Sequence, residues 1–276
     1  MNAPEARSAA HPAGRAQAHW LSPLREPGEG STARPGWAAN LDLAFAARGL
    51  ATIPVLRSHR GPLRIQKGFT PEGPGLWHQV IVHPPGGIAS GDSLDIRVSA
   101  QRGARALLTS PGAAKWYRAN PLAVDRTASQ SIRLQVADGA SLEWLPLETI
   151  VFDGAQANWT TQIDLEGSGA LIAADLVCLG RPASDLHFAS GEVRWRLDLR
   201  RDGLPVFHEQ VRLEGGSRSL HSRAGLAGRP AFATLLIAGT AQAMAGIVEE
   251  VRRKLADLPA SATSGEWAIT GLPGLA

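Results

Sequence analysis

Four carboxylates lie beside or within apolar, strand-like runs and are the first candidates for chemistry. They are Asp92 behind a glycine-rich loop, Glu143 in Leu142-Glu143-Trp144-Leu145-Pro146, Glu148 shortly after it, and Asp175 in Ala174-Asp175-Leu176-Val177. Taken singly, each has a structural reading, because acids near a core normally hydrogen-bond or pair with arginine. A pair such as Asp92 and Glu148 would suit a carboxylate hydrolase, although chain order does not establish convergence. The histidines, at 11, 19, 59, 78, 83, 187, 208 and 221, show no His-x-x-x-His spacing, and the single Cys178 leaves no Cys-x-x-Cys. That pattern argues against a tight structural zinc site. The segment from His83 through Pro84-Pro85-Gly86-Gly87 to Gly91-Asp92 interrupts regular structure, but no Gly-Lys-Ser/Thr and no helical pattern follow it. A phosphate-binding loop is therefore excluded. No Gly-x-Ser-x-Gly elbow is present. Ser110, Lys115 and Tyr117 lie close together, but a lysine there is expected to anchor a loop by hydrogen bonds rather than act as a base.

The elements that must position these groups are mainly strands. Leu94, Ile96 and Val98 alternate with Asp95, Arg97 and Ser99; Ile132, Leu134 and Val136 do the same, as do Val193, Trp195, Leu197 and Leu199. Period-two alternation marks half-buried strands. Asp138-Gly139, Asp153-Gly154 and Asp202-Gly203 punctuate them at intervals too short for ordinary helices, which disfavours a parallel βαβ architecture. Met244, Ile247, Val248, Val251 and Leu255 predict one helix near 241–256, N-capped by Thr240. A shorter helix is expected over Ala113 to Arg118, after the Pro111-Gly112 turn.

The chain has 276 residues and a net charge of +3, with Lys67, Lys115 and Lys254 as its lysines and arginine as the rest of its 28 cations. So small a net charge supplies no basic stripe for nucleic acid. No apolar run approaches a membrane span, and the charged N-terminus has no signal-peptide core, so a cytoplasmic address is expected. Residues 1 to 36, rich in Ala, Pro, Gly and Ser, read as a flexible N-terminal tail, with Trp20 and Trp37 as points of attachment. Residues 37 to 276 read as a single domain, and Cys178 as a small buried hydrophobe.

Six segments occur in one collinear order: Gly61-Pro62-Leu63-Arg64-Ile65-Gln66-Lys67; His83 to Gly87 with Gly91-Asp92; Leu108 to Arg118; Leu142 to Pro146 with Glu148; Phe152-Asp153-Gly154-Ala155; and Leu179-Gly180-Arg181-Pro182. In this the chain resembles the urease accessory protein family UreD, also called UreH, over residues 41 to about 255. Ser110, Trp116 and Leu147 stand where that family commonly has Thr, Phe and Gln. The family generally continues beyond the region of Trp267 to Leu275 with a strand and a helix, so truncation at Ala276 is expected.

The resemblance implies an all-β body of stacked, solenoid-like strands with a small helical C-terminal part, and a non-enzymatic role. It implies binding to apo-urease and, with UreF and the GTPase UreG, support of nickel insertion within a complex in which the chain is dimeric. UreG would supply GTP hydrolysis. Its motif residues here are Gly86, Gly87, Gly91, Pro111, Gly112, Lys115 and Arg181. No tightly bound cofactor is expected. A site rich in His and Cys would hold Ni²⁺ too firmly to release it, whereas carboxylates permit transit. On this reading Asp92, Glu143, Glu148 and Asp175 border an internal passage, with His83 near one mouth. Two further classes compete: a β-solenoid or β-sandwich binding module, with Trp77, Trp116, Trp144 and Trp159 as stacking platforms, and the carboxylate hydrolase.

Overall fold

The computed structural model describes residues 36–257 and 268–271. The expected tail, apart from Gly36, lies outside the described residues, as do Trp20, Trp267 and positions 272–276. The chain enters on β1 (Ala38–Arg48), turns back on β2 (Ala51–Arg60), and passes through β3 (Arg64–Ile65) to β4 (Trp77–Val82). It then winds between two sheets. The winding runs through β5 (Ser93–Ala100), β6 (Arg105–Thr109) and β7 (Ala114–Trp116), then β8 (Ala128–Val136), β9 (Ser141–Leu145) and β10 (Thr149–Val151). It continues through β11 (Gln156–Leu165), β12 (Ala170–Leu179) and β13 (Glu192–Arg201), and β14 (Leu204–Glu214) folds back on the last of these. A helical turn α1 (Arg218–His221), β15 (Ala231–Ala238), α2 (Ala241–Met244) and α3 (Ile247–Ala256) follow.

The first sheet has the order β14-β13-β11-β8-β5-β1-β2, with its five middle strands parallel. The second carries β4, β6, β9 and β12 in parallel, with β7 and β10 continuing the same lines and β15 antiparallel to β12. Parallel neighbours need a long crossover. Here the crossover is a strand of the opposite sheet instead of a helix, which is how short turn intervals coexist with parallel pairing. The corners 101–104, 137–140 and 166–169 each close with the fourth residue's N–H donating to the first residue's carbonyl, at 2.8, 3.0 and 2.8 Å. Gly103 and Gly139 take φ of 72° and 71° at these corners, a region that favours glycine. Two tight hairpins, each with a two-residue loop, join antiparallel neighbours: Gly49-Leu50 between β1 and β2, and Asp202-Gly203 between β13 and β14, with φ positive at both residues of the latter.

The period-two reading places the core correctly. Leu94, Ile96, Val98, Leu134, Val136, Leu142, Ile163, Leu171 and Leu199 are buried between the sheets. Trp116, Trp144 and Trp159 are buried too and Trp77 packs against the core, so these rings are not surface platforms. One helical expectation fails, and the other is met in two pieces. Residues 114–116 form β7 because Trp116 is 1% exposed between the sheets, while the backbone pairs in parallel with Thr149–Val151; tertiary pairing overrides local propensity. The C-terminal helix is divided. Thr240 caps only α2, its hydroxyl oxygen accepting from Ala243 N at 3.2 Å, and Gly246 at φ 77° separates α2 from α3. Cys178 alternates with buried Val177 and Leu179, so it faces outward, half-buried, and burial pushes its thiol up.

Candidate functional site

Along the inner face of each strand the alternation dictates apolar residues, yet at one level it fails on several strands at once. Gln130 precedes Ile132, Thr161 lies between Trp159 and Ile163, Asp175 between Ala173 and Val177, Glu209 between Phe207 and Val211, and Thr234 between Phe232 and Leu236. These five residues line one cavity of about 90 Å³ between the sheets. Polar groups at inward positions lose hydration unless they find partners. Two tryptophans provide them. Trp159 and Trp195 stand in register on neighbouring strands with rings stacked at 5.6 Å and 7°. The Trp195 indole N–H donates to Glu209 Oε2 at 3.2 Å, and that of Trp159 donates to Asp175. Burial pushes the Asp175 carboxyl above the usual carboxylate range; the Trp159 bond opposes this and the nearby Glu209 adds to it. Phe232 extends the stack at 5.1 Å from Trp195, and Trp116 does so at 5.5 Å from Trp159.

A larger cavity of about 310 Å³ lies next to this one, and Ala114, Gln130, Trp144 and Pro146 line both. Its wall includes His83, Gly86, Gly87, Pro111, Gly112 and Lys115, so six of the residues singled out from sequence share one cavity. The gaps between β6 and β7 and between β9 and β10 contribute to it. Burial pulls the His83 imidazole below its ordinary range, partly offset by the charge of Asp92, and its Nε2 is buried without a hydrogen-bond partner.

The other carboxylates lie elsewhere. Asp92 is 7% exposed, and both of its oxygens are engaged, Oδ1 by Trp37 N at 2.7 Å and Oδ2 by Ala89 N at 2.8 Å. It therefore clasps the glycine loop to the first strand, and Trp37 attaches through its backbone while its ring is exposed. Glu143 alternates with buried Leu142 and Trp144, which puts it on the outer face of the second sheet beside Leu107 and Ile172. Glu148 is exposed, and it is its carbonyl that holds the chain, accepting from Ala114 N at 2.9 Å. Lys115 also anchors through its carbonyl, to Ile88 N at 2.7 Å. Among the described residues, no three of His, Cys, Asp and Glu gather closely enough to hold a metal ion.

Sequence reasoning missed Gln130, Thr161, Glu209 and Thr234; the available signal was polarity in phase with an apolar alternation. It also missed how the loop motifs join. A Cβ on Gly87 would lie 2.3 Å from the Tyr117 ring, Tyr117 meets Phe152 edge-on at 5.3 Å, and the Arg181 guanidinium lies 4.7 Å from the Phe152 centroid. Asp153, next in the chain, accepts from Ala189 N, Ser190 N and the Ser190 hydroxyl and pairs with Arg118. Burial pushes against its ionisation, but these bonds hold its carboxyl below the usual range. One end of the molecule is thus knitted from four of the six segments.

The family model described as "UreD urease accessory protein" matches residues 38–276. A urease accessory protein UreD of Pseudomonas fluorescens is 55% identical over 205 residues, 74% of this chain and 72% of that protein. The namesake of Pseudomonas aeruginosa is 52% identical over 205 residues, 74% and 71% of the two chains. That of Azoarcus sp. is 44% identical over 243 residues, 88% and 81%. With a match that spans both sheets, the polar seam and the knitted end, the chain belongs to the UreD urease accessory protein family.

Proposed function

We propose that this chain is a non-catalytic scaffold of the cytoplasm that binds apo-urease and acts with UreF and UreG in nickel insertion, the nickel crossing it between the two sheets. The observation that carries this reading is the pair of adjoining cavities: one edged by His83, the other by Asp175 and Glu209, with Gln130 in the wall of both. Ni²⁺ is the cargo. Two oxygen donors held by indole N–H groups would bind it loosely enough to pass it on, where a His/Cys centre would not. On this reading Asp175, Glu209 and His83 line the passage and Asp92 is a clasp outside it; Glu143 and Glu148 would act at the outer surface.

The test is to co-express a tagged copy with UreF, UreG and the apo-urease subunits and to follow what is captured, the nickel content of urease and its activity. Capture of UreF and urease, with activation that requires this chain, is the expected result. Absence of capture by a soluble, folded chain would contradict the scaffold reading, and nickel-loaded urease formed equally well without it would contradict the insertion role.

A further inference from the structure

Charge is shared out unevenly along the chain. Between Asp42 and Asp92 the one acid is Glu72, against Arg48, Arg57, Arg60, Arg64 and Lys67. Glu72 meets His78 at 3.0 Å, and Asp42 and Asp95 meet Arg97 at 3.9 and 2.5 Å. Among the described residues, no carboxylate pairs with Arg57, Arg60, Arg64 or Lys67. The fold gathers these four where the two sheets end side by side, on β2 at the end of one and around β3 at the end of the other. Arg57, His59 and Arg60 are exposed, and strand alternation sends Arg57 and His59 out on one face and Arg60 on the other. The chain turns at Gly61 and brings Arg64 back, its Nη1 3.3 Å from His59 Nδ1 and donating to the carbonyls of Gly61 and Leu63. Exposed Lys67 follows three residues on, so the first of the six collinear segments, Gly61 to Lys67, belongs to this corner. Apolar side chains stand among the cations: Val55 is 43% exposed, Leu56 37% and Phe69 48%. Charge that only guards a strand edge would be confined to β2; here it runs on through Arg64 and Lys67.

We infer that this corner docks an acidic surface of a partner protein, a step that rests on the reading of the chain as a scaffold. Charge complementarity selects the occupant. Arginine forks meet carboxylates with two parallel hydrogen bonds, and at this corner the chain supplies the forks without the carboxylates. A second copy of the chain would set these cations against each other. The residues outside the described ones carry Glu5, Glu26, Glu29 and Glu266 against Arg7, Arg15, Arg25 and Arg34, so they bring no net negative charge. Four cations in a compact corner fall short of the stripe that follows a nucleic-acid backbone. Arginine interleaved with exposed apolar side chains is instead the composition of a protein interface.

The test captures UreF, UreG and the apo-urease subunits on the tagged full chain, as parent and as the variant R57E/R60E, with washes at about 0.05 and 0.5 M salt. Both positions are exposed, so the core is untouched. Carbodiimide, which joins a carboxylate to an amine in contact with it, is then applied to the captured complex. The expected result is a partner that the parent retains less well at high salt, that the variant retains about ten-fold less or worse at an unchanged melting temperature, and that is linked through an Asp or Glu to Lys67. A folded variant that retains every partner as the parent does overturns the inference alone, and does so in favour of a membrane if that variant has lost binding to phosphatidylserine vesicles. A parent chain that retains none of the three overturns the scaffold reading and this inference with it. If the variant does not fold, the cross-link in the parent complex decides: a partner carboxylate joined to Lys67 supports the docking, and cross-links that all avoid Lys67 overturn it.

Discussion

Asp175 is held where a carboxylate is unfavourable, on the inner face of β12 with Glu209 close by. Because burial raises its folded pKa above the unfolded value, the native state binds the proton more tightly, and stability falls as pH rises from the unfolded pKa through the folded one. Asp175→Asn, which imitates the neutral acid, is therefore expected to raise the melting temperature at neutral pH. The gain should fade below about pH 4, where the acid is neutral in both states; thermal melts across pH will read this. A group that lowers stability in place is understandable at a site of function. Gly87 is a separate case. Its Gly87→Ala variant drives a methyl into the Tyr117 ring and is expected to cost about 1–3 kcal/mol in urea unfolding. If the ring is the cause, the cost shrinks when Tyr117→Ala is combined with it, a coupling that a double-mutant cycle measures.

At the scale of elements, the winding is set by corners and alternation. Gly139 at φ 71° has open space around a would-be Cβ, so Gly139→Ala carries backbone strain alone, about 1 kcal/mol, detectable as a shift in denaturation midpoint with an unchanged slope. Much of this level was legible in the sequence. The phases of Leu94-Ile96-Val98 and Val193-Trp195-Leu199 name the buried face, since a strand with one wet side must alternate. Alternation does not reveal which sheet a strand joins, so the stacked, solenoid-like body came only with the family resemblance, and the parallel pairing of strands linked through the opposite sheet only with the structure. The helix expected at Ala113 to Arg118 failed because six residues carry too little periodicity to outweigh the long-range pairing of Ala114–Trp116 with β10. The break at Gly246 is an ordinary glycine signal that an apolar stripe from Met244 to Leu255 concealed. At the site, Asp175 was legible as an acid in an apolar run. Glu209 was not, because it lies among His208 and Gln210 on a strand whose outer face is also polar.

On the scale of the whole molecule, the inter-sheet space combines a dense aromatic stack with a polar seam, and the outer faces divide by charge. Arg194 and Arg196 spend their charge on Glu192 and Asp198 within their own strand, at 2.5 and 2.8 Å, so that face presents paired charge to water instead of a basic docking surface. Phe207 and Val211 pack against the core instead of forming an apolar patch. Among the described residues no helix is long and apolar enough to cross a membrane. A passive scaffold would need only its outer surfaces, whereas nickel passage would put Asp175 and Glu209 in the path of the cargo. The direct measurement is the activity and nickel content of urease co-expressed with UreF, UreG and either the parent chain or the variant D175A/E209A, with capture of urease and UreF scored in the same preparations. The variant is expected to capture its partners as the parent does, while urease activity and nickel fall at least several-fold. Undiminished activation by a folded, partner-binding variant would contradict passage between the sheets.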